Sequence, residues 1–207
     1  MTYTLIADGS SDRVLLPLLT WTLRRHGVRE VEAQWADPRW LPMQEGLRGR
    51  VRAALSDFPC DVLFIHRDAE RESAEVREVE ILTATRGVNG RNIPVIPVRM
   101  TEAWLLFDEQ AVRNAAGNPN GRQDLQLPEP ARYETIPNPK EILHRAIQVA
   151  SELPGRRRAK LSVPERVHRV AHGIDDFSPL LGLGSFRALQ EKVATFLSGH
   201  SDRANRG

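Results

Sequence analysis

The stretch Leu5-Ile-Ala-Asp-Gly-Ser-Ser-Asp12 decides the fold that we predict for this chain. The apolar run Tyr3–Ala7 is typical of a buried strand, and an amphipathic helix over Val14–Arg25 follows it. In open parallel sheets, ligands bind at the carboxyl ends of the strands, where Asp8 and Asp12 stand. Two carboxylates there favour a cation, although Asp12 could instead complement the dipole of the following helix.

The composition is that of an ordinary globular chain without strong electrostatic bias. The 207 residues are 41% hydrophobic, enough to bury a core as one main domain. The formal charge is only +2, so any polyanion must be held by a local basic cluster. The single cysteine, Cys60, excludes an intramolecular disulfide, and no apolar run is long enough to span a membrane. We therefore expect a cytoplasmic protein that does not enter a membrane.

Apolar runs alternate with helical periodicity along the first half of the chain. After the first helix, the predicted strands are Val31–Trp35, Val62–Ile65 and Ile93–Val98, and the predicted helices between them are Leu41–Leu55 and Ser73–Thr85. Strands separated by helices imply right-handed crossovers and a mainly parallel sheet. The predicted class is therefore α/β, with a four-stranded parallel sheet flanked by helices.

The organisation changes beyond Met100. A helix is predicted to begin within Thr101–Asp108, and Gly117–Pro139 is rich in Pro, Gly and Asn, which indicates a surface excursion. Later helices are predicted at Pro139–Glu152, Pro164–Gly173 and Ser185–Leu197. We divide the chain into a core (1–116), a loop and helical C-terminal extension packed on that core (117–200) and a disordered tail (201–207).

A second acidic strand end follows the most apolar strand, because Asp68 and Glu70 come directly after Val62–Ile65. Adjacent parallel strands would bring them close to Asp8 and Asp12, and carboxylate oxygens are the ligands that Mg²⁺ prefers. We predict that the four carboxylates converge on one or two ions, Mg²⁺ or Mn²⁺, as in two-metal phosphoryl chemistry. Glu102, at the end of the fourth strand, is the expected outer ligand. The alternative is that Asp68 and Glu70 pair with neighbouring arginines.

A basic run is the densest supply of phosphate contacts. We expect Arg156, Arg157, Arg158 and Lys160, with Lys140, to bind nucleic acid, and we slightly favour Lys160 over Lys140 as the group that stabilises the scissile phosphate. The alternative is a solvated linker.

The order of these motifs carries a family resemblance. An apolar strand, an acidic-Gly-x-x-acidic segment and a second apolar strand ending in Asp-x-acidic resemble the TOPRIM fold. Within that fold the chain is most similar to the DUF4276 family of small TOPRIM-like proteins, related to overcoming-lysogenization-defect-type nucleases. The matching segments are His66–Glu70, Glu102–Asp108, Asn138-Pro139-Lys140 and Ser185-Phe186.

The resemblance implies metal ligands at Asp8, Asp12, Asp68 and Glu70. Asp8 replaces the glutamate of the family and Glu70 replaces an aspartate, which changes the reach of each side chain by one methylene. The implied function is a nuclease for DNA or RNA in bacterial antiphage defence, beside an ATPase partner. Two alternatives stay open: a non-catalytic regulatory or effector subunit that binds a protein, and a metal-dependent phosphohydrolase for a small nucleotide.

Other residues are interpreted as structural. His168 and His172 are spaced like a zinc pair, but Arg169 stands where an HExxH motif needs glutamate, so we interpret them as surface or packing residues. The four tryptophans are expected to pack in the core, and the sequence supports this expectation least for Trp40. His66 is a candidate base beside the metal, or a packing residue.

Overall fold

One parallel sheet organises the molecule. The computed structural model describes residues 1–42, 45–88 and 91–204, with side chains to residue 199. Within these ranges the strands are β1 (Thr2–Ile6), β2 (Glu32–Trp35), β3 (Val62–His66) and β4 (Asn92–Val95). All three pairings are parallel and the order is β2-β1-β3-β4, which confirms the predicted α/β class and is consistent with a TOPRIM-like fold.

Helices flank the sheet and form the second half of the chain. They are α1 (Leu15–Arg25), α2 (Gly46–Asp57), α3 (Ala74–Thr85), α4 (Glu109–Ala116), α5 (Pro139–Ala150), α6 (Gly155–Ala159), α7 (Val163–His172) and α8 (Gly184–Ala204). Short 3₁₀ turns occur at Ser10–Val14, Pro38–Trp40, Thr101–Leu105, Pro130–Thr135 and Ser178–Gly182.

Three predicted boundaries were wrong. The helix expected within Thr101–Asp108 is a 3₁₀ turn, because Asp108 ends that segment by capping α4. The predicted helix Leu41–Leu55 begins only at Gly46, and residues 43 and 44 lie outside the described ranges. Helix α8 continues to Ala204, past the start of the expected tail, because extending an existing helix costs little even for polar residues.

Each face of the sheet has its own hydrophobic cluster, since successive strand residues point to opposite faces. Ile6, Leu63 and Ile65 pack with α2 and α3. Tyr3 and Phe64 belong to the larger cluster, which includes residues of α1, α4, α5, α7 and α8. Residues of α5, α7 and α8 therefore share one core with the strands and complete one side of the sheet.

Direct side-chain contacts fasten α8 to the first half of the chain. The ring of Trp104 lies 5.5 Å from that of Phe186. Gln190 donates to Thr22 Oγ1 at 3.0 Å, and its Oε1 lies 3.0 Å from His26 Nε2. In the described ranges no helix is both long and apolar enough to cross a membrane.

Candidate functional site at the carboxyl edge of the sheet

The crevice between the carboxyl ends of β1 and β3 contains a buried histidine. The chain leaves β1 toward β2 on one side, while β3 lies on the other, so this is the point where ligands bind in open α/β sheets. His66, the last residue of β3, is only 2% exposed. Its Nδ1 lies 3.1 Å from the carbonyl oxygen of Val95, which can only accept, so Nδ1 carries the proton. Nε2 is left to face the crevice.

Asp12 and Asp68 flank His66 Nε2. Asp68 Oδ1 lies 3.4 Å from this nitrogen and Asp12 Oδ2 lies 3.7 Å from it. The two carboxylate oxygens are therefore no further apart than the sum of these distances. The structure thus brings together one predicted ligand from β1 and one from β3.

Asp68 is held by the loop that follows β4. Its Oδ1 accepts from Thr101 N at 3.0 Å and from Thr101 Oγ1 at 3.3 Å. Burial is the main cause that raises the pKa of Asp68 to about 6; the charges of Asp12 and Glu102 act in the same direction, while His66 and the hydrogen bond from Thr101 oppose the shift. Three poorly hydrated carboxylates therefore share one electrostatic environment.

Asp12 has a local structural role as well. Its Oδ2 accepts from Gly9 N at 3.0 Å, which closes the turn Ser10–Val14. A structural role at this turn and a place beside His66 are therefore compatible for Asp12, because the same oxygen, Oδ2, faces both groups.

Asp8 and Glu70 point elsewhere. Asp8 Oδ1 accepts from Arg50 Nη2 at 2.9 Å, and Asp8 Oδ2 lies 2.8 Å from Arg67 Nε. Glu70 is exposed and lies 3.9 Å from Arg77. The predicted convergence of four carboxylates is not seen, and across the described side chains no three His, Cys, Asp or Glu residues are arranged to hold a metal ion. The physical reason is that arginines pair with these carboxylates in place of a metal ion; Arg50 on α2, for example, reaches Asp8.

The loops after β3 and β4 are joined by hydrogen bonds between two residues that both have a strained backbone. Glu70 and Arg99 have positive φ values of 55° and 65°. Glu70 N donates to the carbonyl of Arg99 at 3.1 Å, and Arg99 Nη1 donates to the carbonyl of Glu70 at 3.0 Å. Such conformations cost about 1–3 kcal/mol each and cluster at functional sites.

Glu102 is close enough to Asp68 for its charge to raise the pKa of that carboxyl. Its side chain is 12% exposed, and Lys140 Nζ lies 3.9 Å from Glu102 Oε1. His144, one turn along α5, has its pKa lowered by burial and by Lys140, with Glu102 opposing the shift. Lys140 is therefore the lysine paired at this edge. Sequence reasoning did not find Thr101 or His144, because no local pattern shows that α5 packs beside the loop after β4.

The basic run lies on the exposed helix α6. Arg158 Nε donates to the carbonyl of Leu153 at 3.0 Å. The side chains of Arg156, Arg157 and Lys160 form no hydrogen bond or ion pair with any other described residue. Nothing in these contacts joins Lys160 to the crevice.

Two clefts with basic linings flank the crevice. The first, of about 430 Å³, is lined by Arg13, Arg39, His168 and His172 together with Ser10, Trp35 and one acid, Asp37, which is paired with Arg39. The second, of about 580 Å³, is lined by three arginines, Arg71, Arg77 and Arg99, and by two acids, Glu70 and Glu72. A further cleft of about 590 Å³ follows the surface excursion and includes Asp124 and Glu129, so its charge does not suit a polyanion.

Comparison of the chain with protein-family models, with curated proteins and with solved structures found no significant match.

Proposed function

We propose that this protein is a divalent-metal-dependent nuclease, which hydrolyses phosphodiester bonds of DNA or RNA in the cytoplasm. The observation that carries the proposal is the placement of Asp12 and Asp68 on either side of His66, in the crevice where β1 and β3 end. The likeness of the sequence motifs to TOPRIM-like DUF4276 proteins supports it. That likeness also extends the proposal to antiphage defence beside an ATPase.

The residues present fit one Mg²⁺ or Mn²⁺ ion better than two. Mg²⁺ is usually held by one or two carboxylates together with water and substrate phosphate. Asp12 and Asp68 would supply these two; the pKa of Asp68 is raised mainly by burial and also by the charges of Asp12 and Glu102, and a bound cation would favour its ionised form. Asp8 and Glu70 are already paired with arginines, so they do not complete a second set. When bound, the ion would polarise the phosphate and lower the pKa of the attacking water.

The residues around this pair have separate tasks. His66 turns Nε2 toward Asp68, Asp12 and the hydroxyl of Thr101, which lies 3.2 Å away, so the imidazole is placed to exchange a proton in the crevice. Thr101 fixes the orientation of Asp68 through its N–H and hydroxyl. Lys140, close to Glu102, offers a positive charge for the negative charge that develops on the phosphate.

Hydrolysis of a labelled oligonucleotide tests the proposal. Mg²⁺ or Mn²⁺ should support cleavage and a chelator should abolish it. Asp12→Asn and Asp68→Asn should each lower the rate at least about 100-fold, and Glu102→Gln should lower metal affinity about 10-fold. Asp57→Asn, at the exposed end of α2, is the matched control and should cleave normally. Equal rates in Asp68→Asn and Asp57→Asn would contradict the proposal.

One observation favours a second candidate, a non-catalytic regulatory subunit. His66 Nε2 lies 3.7 Å from Asp12 and 3.4 Å from Asp68, so a positively charged imidazole would offset part of their negative charge without a metal. In that case isothermal titration would show no Mg²⁺ or Mn²⁺ binding. The wild-type protein would have no nuclease activity, and the only effect of His66→Ala would be a less stable fold. Metal binding that disappears in Asp68→Asn would instead favour the nuclease.

A further inference from the structure

We propose, on the basis of the nuclease function above, that the substrate is a single nucleic-acid strand. It crosses the carboxyl edge of the sheet from Trp40, past Asp12 and Asp68, to Arg71 and Arg99. Two basic clefts, one exposed aromatic ring and the depth of the crevice carry this inference independently of one another.

The first cleft offers an uncommitted cation. Arg13 is exposed and forms no hydrogen bond or ion pair with another described residue. It lies close to His168, whose pKa is lowered by burial and by the charges of Arg13 and His172. The acid that lines this cleft, Asp37, is paired with Arg39, so the guanidinium of Arg13 is left to accept an anion such as a backbone phosphate.

The second cleft offers cations on a rigid support. Arg71 is exposed, and it too lacks an ion-pair or hydrogen-bond partner in the part of the chain that the structure describes. Arg99 is fixed by its bond to the carbonyl of Glu70. Arg77 borders the same cleft and donates to the carbonyl of Asp68 at 3.1 Å, so the cleft adjoins the proposed metal ligand directly.

An exposed tryptophan stands on the turn after β2. The side chain of Trp40 is 82% exposed, the largest exposure among the large apolar residues described. Asp37 accepts from Arg39 N at 3.0 Å and from the guanidinium of Arg39, which fixes the turn Pro38–Trp40. Arg39 is thus occupied, and the rigid turn presents the ring of Trp40 to solvent beside the first cleft. Such rings stack with unpaired bases.

The dimensions of the edge suit a single strand. Four strands spaced about 4.8 Å apart span about 14 Å. The groups between the clefts are recessed, with side-chain exposures of 15% for Asp12 and 1% for His66. A flexible strand can bend a phosphate into this crevice, whereas the backbone of a stiff duplex stays on the surface.

Fluorescence anisotropy with a labelled 20-nucleotide oligothymidine, measured in chelator across a range of salt, tests the path. Arg13→Ala with Arg71→Ala should reduce the slope of log affinity against log salt by about 1.4, since each single-strand contact contributes about 0.7. Trp40→Ala should weaken binding about tenfold with the slope unchanged. Arg156, Arg157 and Arg158 replaced together by alanine test the competing basic run on α6, and this variant should keep the wild-type slope. All replaced side chains are exposed, and circular dichroism should show unchanged folding.

The outcomes separate this inference from the proposed function. A slope lost in the α6 variant but kept in the Arg13 and Arg71 variant would overturn the path. A duplex of equal length that binds as tightly as the single strand, with the same losses, would overturn the choice of substrate. If the strand binds as expected but is never cleaved, the path stands and the nuclease fails. If bis(p-nitrophenyl) phosphate is hydrolysed while no oligonucleotide binds, the path fails and the chemistry stands.

Discussion

The carboxyl group of Asp68 is buried among like charges, which raises its pKa to about 6 from a usual value of 3.8. A native pKa above the unfolded one means that the native state binds the proton more tightly. The associated stability is fully present below about pH 4 and is lost as the pH rises through 6. At neutral pH this carboxylate therefore costs stability, which is typical of a residue kept for its chemistry.

Replacing Asp68 with asparagine should remove this dependence. In chelator, Asp68→Asn should gain about 2–3 kcal/mol of unfolding free energy relative to wild type between pH 4 and pH 8. The amide oxygen can still accept from Thr101. Urea denaturation at the two pH values measures the change, and Asp57→Asn should show none. An equal difference between variant and wild type at both pH values would contradict the raised pKa.

At the same scale, the sequence predicted where carboxylates stand but not where they point. Asp12 and Asp68 could be paired in advance, because parallel strands align their ends and the two residues follow adjacent strands. Asp8 also follows the carboxyl end of a strand, yet its carboxylate pairs with Arg50 and Arg67. Arg50 lies on α2, and its reach depends on how that helix packs, which no local pattern reveals.

Helix capping determines how the elements beside the crevice begin. Asp108 accepts from Ala111 N at 2.8 Å and starts α4, while Asn138 accepts from Glu141 N at 3.2 Å and starts α5. In both caps a side-chain oxygen accepts the backbone N–H three residues further along the chain.

Removing either cap should lower stability, but only one should affect function. Asp108→Ala and Asn138→Ala should each reduce the unfolding free energy by about 1 kcal/mol. Asn138→Ala should also slow oligonucleotide cleavage, because α5 positions Lys140 beside Glu102. Urea denaturation and cleavage rates, measured side by side, check both points. Equal cleavage by the two variants would show that Lys140 is not positioned through this cap.

On the scale of the whole molecule, the hydrophobic core contains residues from both sides of position 116, where the sequence analysis placed the end of the core. The cluster on one sheet face runs from Tyr3 through Trp104 to Val193. Alternation along the strands predicted that both faces are covered. Which helices cover each face depends on contacts between distant segments, such as Gln190 with Thr22, and these leave no periodic signal in the sequence.

The full chain should therefore unfold in one step, and a fragment of residues 1–116 should not fold. Without α8, the fragment would expose Trp104 and the buried face of β4. Coincident urea transitions by circular dichroism and tryptophan fluorescence are expected for the full chain. A cooperative transition in the isolated fragment would contradict this view and restore the two-part division.

The left-handed backbones of Glu70 and Arg99 also set a limit on the heat resistance of this protein. Both residues carry side chains in a conformation that glycine adopts freely, so the native fold is less stable than the same backbone could be. Glycine at these two positions would raise the melting temperature by relieving the strain. It would also delete the guanidinium of Arg99 from the second cleft. Engineering for higher thermal stability would thus meet a trade-off at this pair of loops, because the same residues affect both the melting temperature and substrate binding.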